Sequence, residues 1–171
     1  QARPTEDVDI VMEIVGRNKS AINEDKLREK GFKNDMSEGA PICRWIYKNL
    51  KVDIMSSDAS ALSFTNQWYQ EGIARSIEII SSPVKVKIFS LPYFISTKIE
   101  AFKDRGKSDY MGSSDMEDII SVLEVSPTDM FEGALAQCSE ALIKYLKKEF
   151  QFLLNTSAFI DALPGAVFNK G

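Results

Sequence analysis

Short β-type runs dominate the first ninety residues, and after Ser90 the apolar positions recur with helical spacing. Asp7 to Val15 (D-V-D-I-V-M-E-I-V) is rich in β-branched residues and predicts a strand. Its alternation puts Asp7 and Asp9 on one face and sends Val8 and Ile10 into the core on the other. Gly16-Arg17-Asn18 predicts a turn. Ser20 then caps a helix to about Lys30, anchored by Ile22, Leu27 and Phe32 and stopped by Gly31. The polar stretch from Lys33 to Gly39 predicts a loop. Residues 42–48 and 50–56 predict two strands, with Asn49 at the hairpin turn between them although its usual glycine partner is missing. A helix is expected over 59–75, with Leu62, Trp68 and Tyr69 inward. Strands at 76–81 and 84–89 follow, joined through Ser82-Pro83.

Beyond Ser90 the chain predicts helices only. The first starts at Ser90 or Leu91, tolerates Pro92 in its first turn, and stops at Gly106. A short helix is expected over 114–123. A long one opens at Ser126-Pro127 and runs to about Leu154, with Phe131, Leu135, Cys138, Leu142, Tyr145, Leu146 and Phe150 as its core stripe. A last helix or turn ends near Leu163-Pro164-Gly165. The pattern therefore predicts an α/β (α+β) protein, a mixed-sheet core over 1–90 and a helical subdomain over 91–171.

The 171 residues, 44% hydrophobic and 27% charged, suit a globular chain with a sizeable core. A net charge of −4 argues against a non-specific nucleic-acid coat. There is no histidine, which removes imidazole bases and histidine metal sites. Any metal must take oxygen ligands, as Mg²⁺ or Mn²⁺ does. Cys43 and Cys138 are far apart and form no C-x-x-C pair, so reduced thiols and a cytoplasmic location are expected. No run of about 18 apolar residues predicts a membrane span.

Within that frame Asp7 and Asp9 stand out. Two carboxylates on one strand face repel unless a cation lies between them. Leu50 to Met55 (L-K-V-D-I-M) is a second strand with a single carboxylate, Asp53, and pairing of the two strands brings all three acids to one spot. Arg3 and Thr5 lie on the same side, placed to bind phosphate or brace the acids. Solvated strand-end carboxylates are the plainer alternative. Three convergent carboxylates suit two-metal phosphoryl chemistry, in which ions roughly 3.5–4 Å apart activate a hydroxyl and stabilise the leaving pyrophosphate. Such chemistry rests on positioning and charge neutralisation and needs no histidine.

The ordered blocks R-P-T-E-D-V-D-I, K-V-D-I, S-L-P-Y-F-I-S-T-K-I-E-A-F-K-D-R-G-K-S-D-Y and S-S-D-M-E-D-I-I resemble the AbiEii/AbiGii-type nucleotidyltransferases. These belong to the polymerase-β-like superfamily, and many are toxins of toxin–antitoxin pairs. The resemblance covers roughly residues 3–124. It implies catalytic, metal-binding roles for Asp7, Asp9 and Asp53, and nucleotide-binding roles for Lys98, Arg105 and Asp109, with Asp115 and Asp118 in the following block. It also implies an NTP substrate, an RNA (tRNA) or protein acceptor, and a cognate antitoxin.

Lys98 and Arg105, two helical turns apart, share a face and are expected to hold the triphosphate, with Lys107 nearby and Asp109 orienting one of them. The plainer alternative is a solvated basic helix end that suits the helix dipole, and the same dipole accounts for Asp115 and Asp118 in a first turn after Ser114. Lys85 and Lys87 share a strand face that suits a nucleic-acid acceptor or simply water. The chain departs from the superfamily in two places. The glycine turn that precedes D-x-D is missing before Gln1, so an N-terminally truncated core is expected. Ser114 stands where relatives often carry histidine. A catalytically inactive nucleotidyltransferase-fold binding protein is the alternative that these departures support.

Overall fold

A computed structural model describes residues 7–13, 17–58, 66–81, 83–106 and 108–168, the side chains of 17–22 and 164–168 aside. The protein is a mixed α/β chain that divides into two compact units, Ala2–Ile73 and Ala74–Gly171.

The first unit holds β1 (Asp7–Met12), α1 (Arg17–Glu29), β2 (Phe32–Asn34), β3 (Arg44–Tyr47) and β4 (Leu50–Ser56), and α2 (Tyr69–Ala74) closes it. Its sheet has the order β1-β4-β3-β2, with β1 parallel to β4 and the other pairs antiparallel. One sheet face carries the core of Trp45, Val52 and Ile54, onto which Met12, Phe32, Tyr47 and Leu27 of α1 pack. The rings of Phe32 and Tyr47 stack at 4.6 Å, and the Arg28 guanidinium lies 5.5 Å over Trp45.

The hairpin joining β3 to β4 is tight, with Tyr47 opposite Leu50 and only Lys48-Asn49 between them. Such turns favour glycine because they need positive φ. Here Lys48 takes φ 55° itself, at a cost of roughly 1–2 kcal/mol. Gly31 ends α1 with φ 91°, as its type allows.

Several local expectations are corrected. Val8 and Ile10 do lie on the core face, but they remain 46% and 39% exposed, because β1 is an edge strand and the core centres on β3 and β4. Arg17 and Asn18 are helical, not a turn. Phe32 belongs to β2 rather than to the helix, and Lys33 and Asn34 continue that strand where a loop was expected. Three residues are too short to show a period of two. Only Tyr69–Ala74 of the expected 59–75 helix is helical among the described residues. The Asn66 side chain instead accepts from the Trp68 N–H in a turn, while Trp68 and Tyr69 are buried as expected. Ile14, Val15, Gly16 and Leu62 lie outside the described residues.

The second unit opens with a separate hairpin, β5 (Ile77–Ser81) and β6 (Val84–Ile88), paired only with each other. Ile77, Ile79, Val84, Val86 and Ile88 share one exposed side, and Lys85 pairs with Glu78 at 2.9 Å on the other. The compact division thus precedes this hairpin, whereas the change of sequence period falls after it. The helices are α3 (Leu91–Arg105), α4 (Ser114–Val125), α5 (Thr128–Leu135), α6 (Glu140–Leu154) and α7 (Ser157–Phe168). Ser90, Pro92 and Gly106 bound α3 as expected. Gly106 is required there because a Cβ would collide with the Phe102 ring and carbonyl. The single long helix expected over 126–154 is broken at 136–139, where the Ser139 hydroxyl caps α6 by accepting from Leu142 N–H at 3.2 Å. Cys138 sits in that break. Leu142, Leu146, Glu149 and Leu153 form the buried stripe of α6 and meet a core that includes Tyr93, Ile95, Ile99, Met116 and Ile119. α7 continues through Pro164-Gly165, past the expected stop, because a proline forfeits one backbone bond without ending every helix.

Trp45→Ala removes the centre of the first core and is expected to lower unfolding free energy by about 3–5 kcal/mol. Urea denaturation followed by circular dichroism measures this directly.

Candidate functional site

The register of β4 decides the site. Its parallel pairing sets Asp9 beside Asp53 and Asp7 beside Lys51, and its antiparallel pairing sets Arg44 opposite Asp53. Paired residues share a sheet face and alternate residues rejoin it. Asp7, Asp9, Asp53, Lys51 and Arg44 therefore occupy one face, opposite the side on which Leu27 of α1 packs. Periodicity put Asp7 and Asp9 on one face, and the pairing of β1 with β4 brings the strand position of Asp53 beside them.

Arg44 lies among them. Its Nε donates to Asp53 Oδ1 at 2.8 Å, and its Nη2 donates to Asp53 Oδ2 at 2.7 Å and to Asp7 Oδ2 at 3.1 Å. The side chains of Asp53 and Arg44 are 12% and 18% exposed, while Asp7 is 37% exposed and marks the open end of the cluster. The pairing with Asp53 holds the Arg44 guanidinium above its ordinary pKa, with partial burial opposing and Asp7 adding to the effect. Asp9 is more exposed and joins the face at its outer strand. Burial pushes the neighbouring Cys43 thiol up from its ordinary range, and the charge of Asp53 raises it further.

Among the described residues no three acidic or sulfur side chains stand close enough to hold a metal ion. Oxygens from two strands already meet at a single nitrogen of Arg44, and carboxylates are the ligands that Mg²⁺ and Mn²⁺ prefer. Arg3 and Thr5 lie outside the described residues.

A second charged cluster lies in the helical unit. Arg105 holds buried Asp115 through two bonds, Nε to Oδ2 at 3.0 Å and Nη2 to Oδ1 at 2.9 Å. Lys98 pairs with Asp118 at 2.8 Å and lies 3.7 Å from Asp115. Lys98 and Arg105 do share a face, but their partners come from the next helix rather than from Asp109. Asp109 instead accepts from Gly112 N–H at 2.8 Å and closes the turn between α3 and α4. α4 begins at Ser114 and holds Asp115 in its first turn, as expected, with the Ser113 hydroxyl accepting from Met116 N–H as the cap; Asp115 is also buried. Lys107 lies outside the described residues. A cleft of about 380 Å³ in the same unit, with Phe102, Tyr110, Met116 and the Lys103–Glu149 pair in its walls, is lined by neither Lys98 nor Arg105.

No family model, curated protein or solved structure matches the chain. The residue of this cluster that sequence reasoning missed is Arg44. Its signal was present, a lone charge in the run I-C-R-W-I-Y, and counting back from a two-residue turn places it opposite Asp53.

Asp115→Ala is expected to lower stability by about 1–3 kcal/mol, because it leaves two cations without their shared buried acceptor. Asp118→Ala, at a more exposed position, is expected to cost under about 1 kcal/mol. Paired thermal unfolding of the two variants measures the difference.

Proposed function

We propose that this protein is a Mg²⁺- or Mn²⁺-dependent nucleotidyltransferase. It moves NMP from an NTP to a hydroxyl of RNA, such as a tRNA end, or of a protein. The observation that carries the reading is the meeting of Asp7 and Asp53 at one cation, with Asp9 in register beside them. The ordered sequence blocks support it, and on that resemblance the sheet unit is a nucleotidyltransferase-like core, the helices its subdomain, and the protein the toxin partner of an antitoxin.

Asp7, Asp9 and Asp53 hold the divalent cations, which when bound neutralise triphosphate charge and activate the acceptor hydroxyl. Asp53 also assists deprotonation of the acceptor. Arg3 and Thr5 contribute phosphate contacts. In the helical unit Asp115 and Asp118 hold Arg105 and Lys98, and Asp109 shapes the loop that follows Arg105.

A second reading has its own observation. Arg44 already neutralises Asp53 and Asp7, as expected of a transferase fold that binds nucleotide or partner without chemistry.

Incubation with each labelled NTP, Mg²⁺ and total RNA or protein separates the two. Label transfer is expected, and Asp7→Asn and Asp53→Asn are each expected to reduce it to background with the fold intact by circular dichroism. Full transfer by either variant removes that residue from the site. Nucleotide binding without transfer for any NTP establishes the binding-protein reading.

A further inference from the structure

The cleft of about 380 Å³ in the helical unit changes in kind from floor to rim. Phe102, Met116 and Leu153 are buried and make an apolar floor. Tyr110 and Phe152 bring aromatic surface to the walls. The Tyr110 ring is fixed, with its centroid 4.9 Å from Phe102 and 5.9 Å from Phe159 of α7. Phe152 is 60% exposed, a large apolar side chain left beside a concave surface. A cavity of roughly 150 Å³ takes one benzene ring, so this cleft has room for a planar body of two fused rings. The loop that carries Ser108 and Tyr110 is pinned by bonds of its own. Asp109 N–H donates to the Gly106 carbonyl at 2.8 Å, and Gly112 N–H donates to the Asp109 carboxylate at 2.8 Å. Ser108 takes φ 61° there, a left-handed backbone that a non-glycine residue adopts only where its surroundings impose it.

Three polar groups border this apolar surface: the hydroxyls of Ser108 and Tyr110 and the ammonium of Lys148. Among the described residues none of the three has a hydrogen-bond or ion-pair partner. The acid in the wall, Glu149, is buried and already held by Lys103 at 3.3 Å, and Lys103 is held in turn by Glu100 at 2.8 Å. The charge left to meet a ligand is therefore that of Lys148. Lys144, four residues back on the same side of α6, adds to it. An anionic group is attracted there and a cationic one repelled. We propose that the cleft binds a small aromatic carboxylate. Its ring lies on the floor against Tyr110 and Phe152, and its carboxylate accepts from the Lys148 ammonium and the Ser108 hydroxyl. A few polar groups around a largely apolar hollow fix the orientation of such a ligand. The residues that line the cleft all belong to Ala74–Gly171, so the site stands whatever the chemistry of the sheet face.

The test is binding of 2-naphthoate to the intact chain by isothermal titration calorimetry, with 2-naphthamide as the uncharged probe of the same shape. The carboxylate is expected to bind about tenfold more tightly than the amide, the usual margin for a hydrogen bond to a charged group. Lys148→Met keeps most of the side chain and removes its charge. It is expected to weaken naphthoate about tenfold and to leave naphthamide unchanged. Phe152→Ala is expected to weaken both probes about fivefold, through lost ring contact. Lys26→Met, on α1, is expected to change neither. Lys148 and Phe152 are both exposed, so these variants are expected to fold, which circular dichroism checks. Ser108→Ala, expected to weaken naphthoate about threefold, serves if either unfolds. Equal affinity for the two probes, or full naphthoate affinity in Lys148→Met, overturns the assignment of an anion to Lys148. Naphthoate binding that Phe152→Ala leaves at full strength overturns the cleft as its location, and no binding of either probe at millimolar concentration overturns the site.

Discussion

One strand holds the candidate site together. β4 lies between β1 and β3, and its side-chain period of two decides which residues meet on each face. A slip of one residue against either neighbour would send Asp53 to the apolar side and leave Arg44 and Asp7 without it. The register is defended from both sides. Val52 and Ile54 are buried in the Trp45 core, and the two-residue turn at Lys48-Asn49 admits no slack. The unfavourable backbone at Lys48 is small beside the cost of exposing that core.

The two charged clusters solve one electrostatic problem in different ways. On the sheet, acids that repel one another are drawn onto a shared guanidinium at a partly open face. In the helical unit, a buried acid, Asp115, draws two cations from the preceding helix and ties α3 to α4. In the first cluster two acids from separate strands share one guanidinium. In the second, among the described residues, Lys98 and Arg105 meet Asp115 and Asp118 across two helices.

Much of this was legible in the residues. The D-x-D strand, the K-V-D-I strand, the hairpin of β5 and β6 and the helix from Ser90 to Gly106 follow from β-branching, alternation and caps, which are local causes. What was hidden depended on partners distant in sequence. The short strand β2 exists because Phe32 stacks on Tyr47, fifteen residues away by number. The break between α5 and α6 came from a serine that caps more favourably than it extends a helix. Arg44 read as an ordinary strand residue until its opposite number was known, and Asp115 read as a helix-end acid until Arg105 was seen to reach it.

Cys43 sits just before β3, under the influence of this face. Its acidity is set first by burial and next by the negative charge of Asp53, with Asp9 contributing as well. The buried sulfur therefore feels the same two acids that share a face with Arg44, and the charge of Arg44 acts on it in the opposite sense.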